Sequence, residues 1–226
     1  MRAWPTSVEE LIREQEELAR GSPAIFSPTG YLAVGACFVC FARGKAGPGA
    51  AGDPGWAGAA VVRGCRVVAS AVVTGQARAA YEPGLLALRE GPLLEAAVLE
   101  LGRTPDLLLV NATGRDHPRR AGLALHLGEV LDLPTIGITH RLLLADGDWP
   151  SDEQGATSAF RLAGELVGYW LRTRRGTRPL AVHAAWRTDA ETAVDLVRAT
   201  LGTARTPEPL REARRLARTA RAQVAL

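Results

Sequence analysis

Apolar and polar positions fall into blocks whose period changes along the chain. In residues 6–20, Leu11 and Leu18 mark an apolar stripe among charges. Thr6 and Ser7 are followed three residues on by Glu9 and Glu10, overlapping capping boxes that predict a helix start. Residues 31–41, YLAVGACFVCF, form an apolar run with strand character. The Gly/Pro/Ala-rich stretch 42–56 reads as a long flexible hairpin loop. Two β-branched runs follow, Ala57–Val62 and Arg66–Thr74, with Gly64 in the turn between them. Three such strands in succession predict an antiparallel meander.

Beyond Gln76 the period changes. Leucines and alanines at helical spacing predict a helix over 83–102, with Gly102 as its stop. PDLLLVN reads as a short buried strand, RRAGLALHLGEVLD as a helix and LPTIGIT as a strand. Residues 155–173 read as mixed strand and turn, and PLAVHAA as a strand. Helices over 189–202 and 208–224 close the chain. The last carries Arg211, Arg214, Arg215, Arg218 and Arg221, with Arg205 just ahead of it, against Glu208 and Glu212. Leu210, Ala213, Ala217, Ala220 and Val224 give it a packing face, and its basic side reads as a solvated face rather than a phosphate-binding strip. This order predicts one α/β domain over 1–226: a mixed sheet of five or six strands, first an antiparallel meander and then parallel strands, with helices on both faces.

Composition narrows the setting. The 226 residues, 47% hydrophobic and 23% charged, suit a globular domain able to bury a substantial core. The net charge is +3 and the isoelectric point about 9.0, with nearly all basic residues arginine, so a polyanionic partner is permitted and not demanded. No apolar run approaches the ~18 residues of a membrane span, and the start of the chain lacks the features of a signal peptide, so the expected location is cytoplasmic. Cys37, Cys40 and Cys65 are an odd count and read as reduced thiols. Cys37 and Cys40 spell C-x-x-C, but three residues apart on a strand they face opposite ways, so both read as core. His126, on an apolar helix, reads as a core histidine.

Four stretches together carry a resemblance: VGACFVCF, YEPGLLALRE, VNATGRDHPRRAGLALHLG and LPTIGITHRLL. In order and spacing they resemble the endonuclease V family, nucleases that nick DNA or RNA on the 3′ side of a deaminated adenine (inosine). AAWRTDAETA and PEPLREA extend the likeness to roughly residues 6–216. The resemblance implies a ribonuclease-H-like fold and a Mg²⁺- or Mn²⁺-dependent site. Mg²⁺ takes hard carboxylate and phosphate oxygens, supplies a hydroxide-like nucleophile and offsets charge on the leaving oxygen.

Carried over position by position, the likeness puts Cys37 where the family has its first-strand aspartate and Asn111 where it has its central-strand aspartate. Glu90 keeps the helix glutamate, Trp186 takes a histidine position and His140 a lysine position. Of the four metal or catalytic positions only Glu90 is retained, with Asp116, His183, Asp189 and Glu191 nearby as candidate substitutes. Two lost carboxylates remove two negative charges from a dication site, and a thiol is a soft ligand. A weak or absent metal site is therefore expected.

The recognition half is better kept. An enzyme acting beside a damaged base extrudes it and fills the gap with a wedge. Tyr81 and Pro83 match the family's wedge loop, although Ala80 replaces a proline and Glu82 adds an acid. Gly84 and Gly114 match its base-pocket turns, while Ala112 replaces a glycine. His117, Arg119 and Arg120 offer donors suited to phosphate. Three readings stand at this point: a strand-binding relative with weakened or lost cleavage, an active enzyme with a rearranged site, and a protein- or ligand-binding module on the same scaffold.

Overall fold

The computed structural model describes residues 3–42 and 47–224. Elements run α1 (Val8–Arg20), β1 (Ala33–Phe41), β2 (Pro54–Arg63), β3 (Arg66–Gln76), α2 (Leu86–Leu99), β4 (Leu107–Val110), α3 (Leu123–Leu131), β5 (Thr135–Thr139), β6 (Thr157–Leu162), β7 (Glu165–Leu171), β8 (Leu180–Ala184), α4 (Ala190–Ala199) and α5 (Glu208–Val224). The strands form one sheet in the order β3-β2-β1-β4-β5-β8-β7-β6. The meander is antiparallel, and β1, β4 and β5 run parallel. This is the ribonuclease-H-like arrangement that the resemblance implies.

Two expectations need correction. The sheet has eight strands, because residues 155–173 form a full hairpin, β6–β7, that β8 joins to β5. That second half is antiparallel beyond β5, since the hairpin adds on through β8. Part of the expected flexible loop, residues 43–46, lies outside the described residues, while Pro54–Trp56 are already strand.

The sheet buries both faces. All four residues of β4 are fully buried, as the middle strand of a parallel set with helices on each side should be. One layer gathers α1, α2 and α3 around Leu11, Leu94 and Leu125, and the other packs α4 and α5 through Val194, Val197 and Leu210. Cys37 and Cys40 fall in different clusters, on opposite faces as the strand period requires. His126 is buried, with its ring 4.8 Å from that of Trp4. At Gly58 a Cβ would lie 2.5 Å from the Ala213 carbonyl, so the missing side chain lets α5 seat its backbone against β2.

Candidate functional site

The central strands β4 and β5 end beside the middle of β1, and matched motifs meet there. Cys37 pairs in register with Val110, so Asn111 is the first residue past β4 beside it. The Asn111–Gly114 segment then crosses β5 in close contact: a Cβ on Gly137 would stand 2.4 Å from the Ala112 carbonyl, and one on Gly114 2.0 Å from that of Ala184. Gly114 is thus required by this crossing.

Glu90 approaches from the α2 face. Burial of its carboxyl raises its pKa to about 7 against the opposing pull of Arg89. Cys37 is fully buried, and burial together with the neighbouring Glu90 pushes its thiol well up, leaving a neutral S–H.

From the other face comes Arg214 of α5, whose Nη2 donates to Asn111 Oδ1 at 3.2 Å while its guanidinium lies 5.1 Å from the Phe38 ring. Arg218 stands over the same ring at 5.8 Å, and Arg221 donates to the Phe41 carbonyl. Burial and then repulsion from Arg218 and Arg205 lower the Arg214 pKa. His140, exposed just past β5, is lowered by burial and by the nearby Arg205 and Arg214.

A second group forms the tip. Glu82–Leu85 is a turn closed by Leu85 N–H to the Glu82 carbonyl at 3.0 Å, with Pro83 and a Gly84 φ of +81° at its centre, the type II pattern. It shortens the helix expected over 83–102 and leaves Tyr81 44% exposed. The Gly84 carbonyl is a hub: it accepts from Gln15 of α1 at 3.2 Å and from Arg119 at 2.8 Å, and His117 Nε2 lies 3.1 Å away. The backbone N–H of Arg119 reaches His117 Nδ1, so that nitrogen is the acceptor and Nε2–H donates to Gly84. Burial lowers the His117 pKa to about 4, keeping the ring neutral. Arg120 donates to the Leu162 carbonyl and pairs with Glu165. The Tyr81–Gly84 turn and the His-Pro-Arg-Arg motif are thus joined through side chains already engaged with the protein.

Beneath the tip, Arg89 and Asp53 form a buried ion pair at 3.0 Å. Arg89 also donates to the Ala50 and Ala79 carbonyls and stacks on Phe41 at 4.1 Å.

An endonuclease V family model matches residues 49–215. This chain belongs to the endonuclease V family. The endonuclease V of Roseiflexus sp. strain RS-1 is 43% identical over 137 residues, 61% of this chain and 62% of that relative, so the match spans about three fifths of the relative's length. The solved endonuclease V of Streptomyces avermitilis superposes with a TM-score of 0.87 at 32% identity, covering 99% of this chain and 97% of that one. The endonuclease V of Ciona intestinalis, solved with DNA containing an inosine followed by a ribo-adenosine, shares the fold at TM-score 0.79 and 19% identity, covering 96% and 98%.

The remaining residues singled out by the family likeness are placed as follows. Trp186 lies at the opposite end of β5: its backbone exchanges hydrogen bonds with Thr135, and its Cβ abuts Gly128 of α3. It packs against the same buried cluster as Cys37 and Ala112. Asp116 is fully buried and accepts the backbone N–H groups of Leu143, Leu144 and Ala145 at 2.7–2.8 Å, so it anchors a loop and cannot substitute as a ligand. Glu191 sits exposed on α4, 3.5 Å from the Tyr169 hydroxyl. Asp189 caps α4, and His183 is fully buried with Nε2 2.7 Å from Thr139 Oγ1.

The residues present do not fit the Mg²⁺ or Mn²⁺ that the family implies. Among the described residues, no group of three His, Cys, Asp or Glu side chains could hold a metal ion. The Asn111 oxygen, a neutral ligand, already accepts from a cation. At ~4 Å and an effective dielectric constant of ~20, each unit of charge on an ion there would be repelled by Arg214 by about 4 kcal/mol. Every ~1.4 kcal/mol is tenfold in affinity.

The sequence pattern puts Arg214 on a solvated face and gives Arg89 and Gln15 no place in the site. Pairing arithmetic held a signal for the first. Arg211 has Glu208 and Arg215 has Glu212 three residues earlier, and both ion pairs form at 2.6 Å. Arg214, Arg218 and Arg221 have no acid three or four residues back. They line the other side, against β1 and Asn111. The basic side of α5 is thus two faces, one solvated and one directed at the site.

Proposed function

We propose that this chain is a strand-binding member of the endonuclease V family that recognises DNA or RNA containing deaminated bases and has weakened or lost its metal-dependent phosphodiester cleavage. The observation that carries this reading is the pairing of Asn111 with Arg214 at the position where the family likeness calls for a metal-binding aspartate. The buried, neutral Cys37 thiol supports it. The exposed Tyr81 on its rigid turn is a candidate wedge. In this reading His117 and Arg119 position that tip through Gly84. Arg120 supports it from the same block, and the setting is cytoplasmic. The rearranged-site alternative loses support, because Asp116 and Glu191 are engaged elsewhere.

A nicking assay tests the proposal, using inosine-containing DNA and RNA with Mg²⁺ and with Mn²⁺. The expected result is binding with little or no cleavage. Cleavage at rates typical of metal nucleases, abolished by Glu90→Gln, would end this reading.

A further inference from the structure

Arg214 has three features that a merely structural arginine would not need together. Its Nη2 is held at Asn111, on the strand edge where the motifs meet. Its Nε is buried and lacks a hydrogen-bond partner. Among the described residues no carboxylate pairs with it, although the neighbouring arginines on the outer side of α5, Arg211 and Arg215, each have one. Arg205 and Arg218 are close enough to repel it, and among the described residues Arg205 donates to the carbonyls of Arg178 and Pro179 and pairs with no carboxylate. Three guanidinium groups thus share one edge without a counter-charge. Gathering them costs repulsion, which a bound polyanion would relieve. The guanidinium fork suits phosphate oxygens, with charge-assisted bonds from a fixed plane.

We propose that Arg214, supported by Arg205 and Arg218, is a metal-independent clamp for a backbone phosphate, placed where catalytic relatives would carry a divalent ion. It holds a strand without supplying the nucleophile or the leaving-group assistance that cutting requires. The inference rests on the strand-binding reading above and adds to it the group that grips and its independence from metal.

The test measures fluorescence anisotropy of a labelled inosine-containing single strand in EDTA, then with Mg²⁺, across a salt series. Wild type is expected to bind equally well in both. Arg214→Gln should lose about tenfold or more in affinity, the scale of one charge-assisted contact. It should also flatten the slope of log K against log salt by about 0.7, one phosphate's share for a single strand. Arg211→Gln, on the outer side of α5, should leave both nearly unchanged and controls for helix integrity. Affinity in EDTA that is indifferent to Arg214→Gln overturns the clamp while leaving strand binding intact. Binding that appears only with Mg²⁺ overturns it in favour of a metal. A wild type that binds no strand under any condition overturns the strand-binding reading and the clamp with it.

Discussion

Arg89 shows how much one side chain can organise. It stands 3% exposed in α2, ties the Ala50 and Ala79 carbonyls together and pairs with an equally enclosed Asp53. Removing one member of such a pair strands the other charge, at a cost of about 3–5 kcal/mol. Arg89→Met should therefore lower the unfolding free energy by that order in urea titrations, and Asp53→Asn should do comparable damage. A loss below about 1 kcal/mol would show that the pair is dispensable. Protonation gives a second handle at this scale. Burial lowers His117 and His183 from 6.5 to about 4, so between these values the unfolded chain binds protons that the native chain refuses. Stability should fall as pH drops through that window, and Glu90, raised to about 7, pulls the other way between 4.5 and 7. NMR titration should find the His117 ring still neutral near pH 5, and an imidazolium there would contradict the hydrogen-bond assignment to Gly84.

At the scale of the element, α5 does what its composition hides. Six arginines in and beside a 17-residue helix read as a solvated surface, yet the seat provided by Gly58 presses one side of the helix onto β1 and β2. Gly58→Val should push the helix outward and uncouple Arg214 from Asn111. The expected outcome is a loss of stability of about 1–3 kcal/mol, the usual cost of overpacking, together with weaker strand binding. Unchanged stability and binding would mean that the contact is looser than the geometry indicates. Most elements were legible in the chain because their periods are strong: the buried run of β4, the capping residues of α1 and the apolar stripe of α5. Less legible were the ends that depend on contacts distant in sequence. The Gly84 turn, held by Gln15 and Arg119, makes one helix pattern start late, and Trp186 could be placed only once β8 was known to run antiparallel to β5.

For the whole molecule, the fold and the chemistry separate. The sheet and its two helical layers stand on apolar pattern and on packing glycines. The cutting chemistry that the family likeness implies would stand on carboxylates at positions 37 and 111, and there the chain carries a thiol and an amide. Restoring the acids alone should not restore a metal site. In the double variant Cys37→Asp with Asn111→Asp, the new carboxylate at 111 faces Arg214 and should pair with it, and calorimetry should detect little Mn²⁺ binding. Adding Arg214→Gln removes the competing cation, and Mn²⁺ binding should then appear. Equal Mn²⁺ affinity in the double and triple variants would show that the guanidinium does not guard the position. The sequence puts a thiol at position 37 and an amide at position 111, but it could not show that Arg214 of another element donates to that amide.

The Gly84 carbonyl carries one more implication. The family-model match begins at residue 49, yet Gln15 of α1, well ahead of it, helps to fasten the tip that bears Tyr81. The first helix is therefore a strut for the turn that bears Tyr81. A binder or protease that pries this helix loose would slacken that turn from behind.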